Sequence, residues 1–172
     1  MANSNPFDNL LLEIIRLILI SVFFILEYLI KESRLLPLPE IKIEILRYLR
    51  KNKIDLICLA GYMKILSSDF IRKFKNPILN IHPSLLPKYK GLNTHRRAIK
   101  NKDKFSGATV HLVTHKLDSG KTILQKKVRI SKSDTEQTLA KKVLKIEHKL
   151  YPAAIEKFLK KTSPWRKSLI QF

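Results

Sequence analysis

The chain has 172 residues, 45% of them hydrophobic, which allows one domain with a sizeable core but excludes two. Its only cysteine, Cys58, excludes an internal disulfide and fits a protein of the reducing cytoplasm. The 34 lysines and arginines against 14 acidic residues give a net charge of +20, which favours anionic partners such as phosphates and carboxylates.

The first element is a nearly unbroken apolar run over residues 9–30, which predicts one long helix with Asn5 as its cap and Pro6 in its first turn. A membrane-attached protein is an alternative, but the uncharged stretch, residues 17–26, is shorter than the roughly 20 residues that a span needs. The flanks also lack the basic leader and small-residue cleavage site of a secretory signal. We therefore expect this helix to pack against the rest of the chain.

Residues 36–39 predict the end of that helix, because they alternate leucine with proline. The charge balance changes at the same place: residues 1–40 hold 3 basic and 5 acidic side chains, so the remainder carries +22. We predict an atypical segment, 1–40, followed by one domain, 41–172. The basic remainder leaves open an RNA- or tRNA-associated module. Its basic stretches alternate with apolar core positions, however, and we expect no specific nucleic-acid partner.

Beyond residue 40, strand and helix patterns alternate. Helices are predicted from the spacing of Ile41, Ile45 and Leu49, after Ser67, over 94–101 and over 133–150, with strands over 54–60, 77–79, 109–114 and 123–130. The last helix opens with capping-box spacing at Ser133 and Glu136. This alternation predicts an α/β layer structure. The pattern contains no internal repeat, Gly-rich phosphate loop or metal-type Cys/His cluster.

The most informative motif follows the strand at 77–79 and reads Asn80-Ile81-His82-Pro83-Ser84-Leu85-Leu86-Pro87, with Gly91 and Thr94-His95 close behind. Because side chains two apart on a strand share a face, Asn80 and His82 are expected to point the same way. An amide that donates to a carbonyl oxygen beside an imidazole that moves a proton is typical of acyl-transfer sites.

Four segments together resemble the phosphoribosylglycinamide formyltransferase family over residues 41 to about 160. They are Leu59-Ala60-Gly61-Tyr62-Met63-Lys64-Ile65-Leu66, the block from Asn80 to Thr94, Leu117-Asp118-Ser119-Gly120, and Glu147-His148-Lys149-Leu150-Tyr151-Pro152. The run Gly91-Leu92-Asn93-Thr94-His95 separates it from methionyl-tRNA formyltransferases, which tend to have Ala-Ala-Pro there. The formyltetrahydrofolate hydrolases usually have His-His-Ser-Phe where this chain has His82-Pro83-Ser84-Leu85, so the chain resembles them less.

The resemblance implies a Rossmann-like fold with a central, mostly parallel sheet, whose N-terminal strands are here replaced by the apolar helix. It also implies transfer of a formyl group from 10-formyltetrahydrofolate, the cosubstrate, to the amine of glycinamide ribonucleotide in purine biosynthesis. No metal is implied.

Site residues carry over one by one. Asn80 would donate to the formyl oxygen, His82 would be the general acid, and Asp118 would support the imidazolium. The folate would bind at Met63, Lys64, Ile65, Leu66 and Asn80, and glycinamide ribonucleotide at Glu147 and His95. Most of these residues also have an alternative without a catalytic or binding role. Asn80 would then cap a strand end, His82 would be a loop histidine and Asp118 a turn residue. Residues 63–66 would start a helix, and Glu147 would be a solvated charge. His111 and His115 are expected to be structural and a loop tip.

The family's opening strand and Gly-x-Gly-Ser-Asn loop, which grips the ribonucleotide phosphate, has no counterpart in residues 1–40. We expect weaker substrate affinity with the chemistry retained. Three explanations are open: a frame error or truncated gene model that altered the first forty residues, a genuine shortened enzyme, or a degenerate or repurposed protein that keeps the motif without turnover. The abrupt change at residue 40 favours the first.

Overall fold

The computed structural model describes residues 38–62 and 65–162, so the predicted helix 9–30 lies outside the described residues. Helices and strands alternate along the described chain. Their bounds are α1 Leu38–Lys51, β1 Ile57–Leu59, α2 Ser68–Phe74, β2 Ile78–His82, α3 Thr94–Lys100, β3 Phe105–Leu112, β4 Thr122–Arg129 and α4 Glu136–Thr162. The α/β class is therefore confirmed, with every element predicted after residue 40 present within a few residues of its predicted bounds, apart from the far end of α4.

The four strands form one sheet in the order β1-β2-β3-β4. The pair β1 and β2 is parallel, whereas β2 with β3 and β3 with β4 are antiparallel. Where a mostly parallel sheet was predicted, the described strands therefore form a mixed sheet with one parallel and two antiparallel pairs. The short connection between β3 and β4, residues 113–121, explains one of these pairs, because a parallel crossover needs about a dozen residues or more.

The chain divides into two compact units. Of the described residues, one unit holds 38–55 and 72–75. Within it Leu46 and Leu49 are buried, and the Arg50 guanidinium donates to the Lys73 carbonyl at 3.1 Å. The other holds the whole sheet, α3 and α4. The predicted division at residue 40 stays a prediction, because most of segment 1–40 lies outside the described residues.

The core of the larger unit lies between the sheet and α4, which packs against β3 and β4. One stripe of α4 at three- and four-residue spacing is buried, and it comprises Leu139, Val143, Leu150, Tyr151, Ala154, Ile155 and Phe158. Facing residues of the sheet, such as Leu79 and Val110, are 0% exposed. The Tyr151 hydroxyl donates towards the carbonyls of Leu59 (2.8 Å) and Leu79 (3.2 Å), which ties α4 to β1 and β2.

The start of α4 differs in detail from the predicted capping box. Thr135 and Thr138 exchange reciprocal hydrogen bonds, each backbone N–H donating to the other's hydroxyl at 2.9 and 3.2 Å. Thr135 is therefore the cap, and the prediction of Ser133 with Glu136 is wrong by two residues. Threonine serves because its hydroxyl accepts a backbone N–H as serine does.

Cys58 is the one thiol of the chain, and it lies in β1 beside Tyr151. Burial raises the pKa of this thiol to about 12, although a hydrogen bond with Tyr151 acts in the opposite direction. Because the thiolate is the nucleophile, we expect Cys58 in the folded protein to resist iodoacetamide at neutral pH. Mass spectrometry over time checks this, with protein unfolded in urea as the control. Labelling at equal rates in both samples would contradict the burial of this thiol.

No helix within residues 38–62 and 65–162 is long and apolar enough to cross a membrane. The membrane alternative concerns residues 9–30, outside the described residues.

Candidate active site

The strand β2 carries the two leading residues of the motif, Asn80 and His82. Asn80 pairs with His111 of β3, and His82 pairs with Thr109. Asn80 is half-buried and His82 is buried, as the end of a strand inside a sheet dictates. The predicted placement of these two side chains at the end of a strand is therefore correct, although the strand extends through both residues.

Both ring nitrogens of His82 face oxygen acceptors. Its Nε2 lies 2.9 Å from the Tyr89 carbonyl oxygen, and its Nδ1 lies 3.4 Å from Oδ2 of Asp118. A carbonyl can only accept, so Nε2 carries a proton. A ring protonated on both nitrogens donates to both acceptors, and this is the form a general acid needs.

Asp118 reaches His82 from the turn between β3 and β4. Its backbone is in the left-handed region, with φ of 44°, which aspartate tolerates better than most residues. The Gly91 backbone N–H donates to the same carboxylate oxygen at 2.8 Å. Lys90 and Ser119 bridge the same two loops through a hydrogen bond of 2.6 Å. The carboxylate is therefore fixed between the motif loop and the turn, and the sequence motif placed it correctly between two strands.

His111 is the residue that the sequence did not identify, since its strand position suggested a structural role. It is 2% exposed, and its Nε2 lies 3.4 Å from Nδ2 of Asn80 and 3.6 Å from Oδ1 of Asp118. It therefore lies between two of the three proposed catalytic side chains. The strand pairing irregularity between Val110 and His111 occurs at this residue, and bulges often re-aim side chains beside active sites.

The neutral state of His111 determines how Asn80 is oriented. Its Nδ1–H donates to the Leu112 carbonyl at 2.8 Å, so Nε2 is left to accept an N–H from the Asn80 amide. Burial lowers the pKa of His111, and the charge of His82 lowers it slightly further. The Leu112 hydrogen bond and the charge of Asp118 act in the opposite direction. An amide nitrogen carries two N–H groups, so the second can donate to a substrate oxygen.

The loop after His82 is fixed by hydrogen bonds to its neighbours in the sheet. The Thr109 hydroxyl donates to the Ser84 carbonyl at 2.6 Å and accepts the Leu86 N–H at 3.1 Å. The Gln125 amide, from β4, donates to Thr109 at 2.7 Å and to the Leu86 carbonyl at 3.0 Å. These contacts hold the proline-bounded loop against the strands that present His82, so the site is rigid on this side.

The proposed folate segment is only partly described. Met63 and Lys64 lie outside the described residues, Ile65 is 73% exposed, and Leu66 is half-buried. An exposed isoleucine beside a buried strand is compatible with a ring-binding surface. Folate binding at these four residues nevertheless stays a prediction.

Glu147 lies on the apolar stripe of α4, four residues after Val143 and three before Leu150. Both of those neighbours are buried, and Glu147 is half-buried. Burial raises the pKa of its carboxyl group, with a smaller opposing effect of His148. The half-buried carboxylate of Glu147 therefore differs from the fully solvated helix charge that was the alternative to a binding role. Partly buried carboxylates with shifted pKa values are common at ligand sites.

His95, at the start of α3, is half-buried, and its Nδ1 is a buried atom without a hydrogen-bond partner. Burial lowers its pKa, Glu136 acts in the opposite direction, and the charge of His82 lowers it further. His95 therefore lies within electrostatic reach of the His82 imidazole. Its role in substrate binding stays a prediction.

No group of three or more histidine, cysteine or acidic side chains within the described part of the chain is placed to hold a metal ion.

A comparison with known protein families defines the class of this protein. The formyl transferase family matches residues 23–155, more than half of the chain. The chain therefore belongs to the formyl transferase family, and its α/β fold is the Rossmann-like fold of that family.

Particular relatives are more specific. Phosphoribosylglycinamide formyltransferase of Haemophilus influenzae is 48% identical over 111 residues, which are 64% of this chain and 52% of that protein. Trifunctional purine biosynthetic protein adenosine-3 of Homo sapiens is 45% identical over 108 residues, 63% of this chain and 11% of that protein. The crystal structure of phosphoribosylglycinamide formyltransferase from Brucella melitensis superposes with a TM-score of 0.68 at 48% identity, over 73% of this chain and 65% of that one. The chain spans about half the length of the bacterial relative from Haemophilus influenzae.

Proposed function

We propose that the chain transfers the formyl group of 10-formyltetrahydrofolate to the amine of glycinamide ribonucleotide, a step of purine biosynthesis. The observation that supports it best is the convergence of three side chains: Nδ1 of His82 lies 3.4 Å from Asp118, and the Asn80 amide beside them donates to His111. Its similarity to relatives named phosphoribosylglycinamide formyltransferase supports this substrate pair.

The reaction makes one bond and breaks another at the formyl carbon. The amine nitrogen attacks that carbon, a new C–N bond forms, and negative charge develops on the formyl oxygen. The bond from carbon to the folate nitrogen then breaks. Asn80 donates its amide N–H to the developing oxyanion, and one such donor is worth roughly 3 kcal/mol in the barrier.

Two protons must move in this reaction: the attacking amine loses one and the departing folate nitrogen gains one. His82 carries out this transfer as a general acid and base, which typically contributes roughly 10²- to 10⁴-fold in rate. Asp118 Oδ2, 3.4 Å from Nδ1, accepts a hydrogen bond from the charged imidazolium and so orients the ring.

Residues outside this cluster bind the two substrates. Backbone groups near Met63, Lys64, Ile65 and Leu66 contact the folate ring, and Glu147 and His95 lie at the glycinamide end. Glu147 suits an ammonium or amine group, because a cation there would compensate the cost of burying its carboxylate. The lone thiol of this chain suits the cytoplasm.

The acceptor can be identified by a competition assay. Labelled 10-formyltetrahydrofolate would be offered with glycinamide ribonucleotide, with methionyl-tRNA, or with water alone, and the labelled products separated. We expect label only in formylglycinamide ribonucleotide. Label in the tRNA or in free formate at equal rates would reject this substrate assignment, and no product in any mixture would reject turnover by this chain.

Replacing Glu147 with glutamine is expected to have opposite effects on substrate binding and on stability. We expect the KM for glycinamide ribonucleotide to rise about tenfold, because a charge-assisted contact is lost, while the KM for the folate changes little. At neutral pH the variant should unfold at a higher temperature, because the raised pKa shows that the ionised carboxyl is unfavourable in the folded state. Steady-state kinetics and thermal unfolding measure the two effects.

The two readouts have different controls. Glu156→Gln, an exposed position on the same helix, should change neither quantity. The stabilisation should also vanish at low pH, where the Glu147 carboxyl is protonated in both the folded and unfolded states. An unchanged KM for both substrates would remove Glu147 from the substrate site.

A further inference from the structure

The carbonyl of Tyr89 holds the Nε2 proton of the catalytic histidine, although the side chain of Tyr89 points elsewhere. The distance from His82 Nε2 to the Tyr89 carbonyl oxygen is 2.9 Å, shorter than the 3.4 Å from Nδ1 to Asp118. Tyr89 adopts a φ of 54°, in the left-handed region that residues other than glycine rarely occupy. Such a backbone persists only when its surroundings hold it.

The surroundings that hold it are the hydrogen bonds of its own side chain. The Tyr89 hydroxyl donates to Oδ2 of Asp103 at 2.8 Å and accepts an N–H from Asn101 at 2.9 Å. The Arg97 guanidinium carbon lies 4.9 Å from the centre of the Tyr89 ring, within cation–π range. Asp103 is also fixed by Lys88, whose ammonium lies 3.0 Å away. The aromatic ring is thus attached to helix α3 and the residues after it.

We propose that Tyr89 is a positioning residue for His82: its side chain, anchored at Asp103, holds the backbone carbonyl that keeps a proton on Nε2. This inference rests on the proposed function only for its effect on rate. The ring nitrogen that exchanges a proton during formyl transfer is then Nδ1, on the side of Asp118, because Nε2 is already engaged. Without the carbonyl, the carboxylate of Asp118 would draw the proton of the neutral ring to Nδ1.

Nitrogen NMR of the imidazole rings tests this inference without requiring activity. The protein labelled with ¹⁵N-histidine is measured at a pH where His82 is neutral, and its signals are assigned by their loss in His82→Gln. In the unmodified chain we expect Nε2 to be protonated and Nδ1 not. In Tyr89→Phe, which removes only the hydroxyl, we expect a mixture with the proton partly on Nδ1, together with about a fivefold to tenfold lower kcat and unchanged KM values.

Two further variants keep the test decisive. Asp103→Ala removes the anchor from the other side of the hydrogen bond and should redistribute the proton in the same way, even if Tyr89→Phe folds poorly. Tyr48→Phe removes a tyrosine hydroxyl from an exposed position of α1 and should leave the His82 signals unchanged. A proton already on Nδ1 in the unmodified chain, or His82 signals unchanged in both Tyr89→Phe and Asp103→Ala, would overturn the proposal. Absence of turnover in the unmodified chain would count against the proposed function alone.

Discussion

Replacing His82 with glutamine is expected to lower the rate of formyl transfer by roughly 10²- to 10⁴-fold, the usual contribution of a general acid and base. Glutamine keeps a hydrogen-bonding side chain of similar reach but cannot take up and release a proton near neutral pH. The surrounding contacts of the loop, from Thr109 to Ser84 and Leu86, do not involve the imidazole. The variant should therefore fold and bind both substrates while losing turnover.

Single-turnover mixing of enzyme, folate and acceptor measures this effect on the chemical step. His115→Gln is the matched control. It is the same substitution, but His115 lies exposed in the turn between β3 and β4, away from the cluster. Circular dichroism and thermal unfolding show whether each variant is folded. A folded His82→Gln variant with the same rate as the His115 control would exclude His82 as the proton carrier.

The second large effect is expected from Gly120→Ala, which acts on folding. A Cβ at Gly120 would lie 1.7 Å from the Leu112 carbonyl oxygen and 3.2 Å from Cγ2 of Thr114. The Leu112 N–H also donates to the Lys121 carbonyl, so the two backbone segments are held together at this point. To make room for the added Cβ, the end of β3 and the start of β4 must move apart. We expect a loss of about 3 kcal/mol or more in the free energy of unfolding, with Asp118 displaced as a consequence.

Urea unfolding measures the loss of stability, and Gly61→Ala provides the matched control. A Cβ at Gly61 meets no atom within 4 Å, but its φ of 67° makes alanine unfavourable by about 1 kcal/mol. The two variants therefore compare a steric overlap with backbone strain alone. Equal losses of stability in the two glycine variants would contradict the close approach of Gly120 to Leu112.

Much of the fold was predictable because its signals are local. The apolar runs that became β2 and β4, the short helix after Ser67 and the turn that carries Asp118 all depend on residues close together in the chain. The same holds for Asn80 and His82, whose shared strand end follows from their spacing. Motif and strand together were sufficient for this half of the site.

The rest of the site depends on pairing between distant segments. His111 joins the cluster only because β3 pairs antiparallel with β2, which places it opposite Asn80, and no local pattern specifies that register. The proposed role of the Tyr89 carbonyl depends on a left-handed backbone conformation, with φ of 54°, that no sequence pattern predicts for a tyrosine. The predicted helix 133–150 stops too early, because α4 continues through Pro152 to Thr162, although a proline inside a helix removes one backbone donor.

The claim that one amide, one imidazole and one carboxylate act on a single formyl carbon is tested most directly by a double-variant rate measurement. Single-turnover formyl transfer would be compared for the unmodified chain, Asn80→Ala, His82→Gln and the double variant. Groups that serve one transition state are strongly non-additive, so we predict that the double variant is about as slow as the slower single variant. If the double variant instead loses the product of the two single losses, or Asn80→Ala transfers formyl at the unmodified rate, the two side chains do not act together on one carbon.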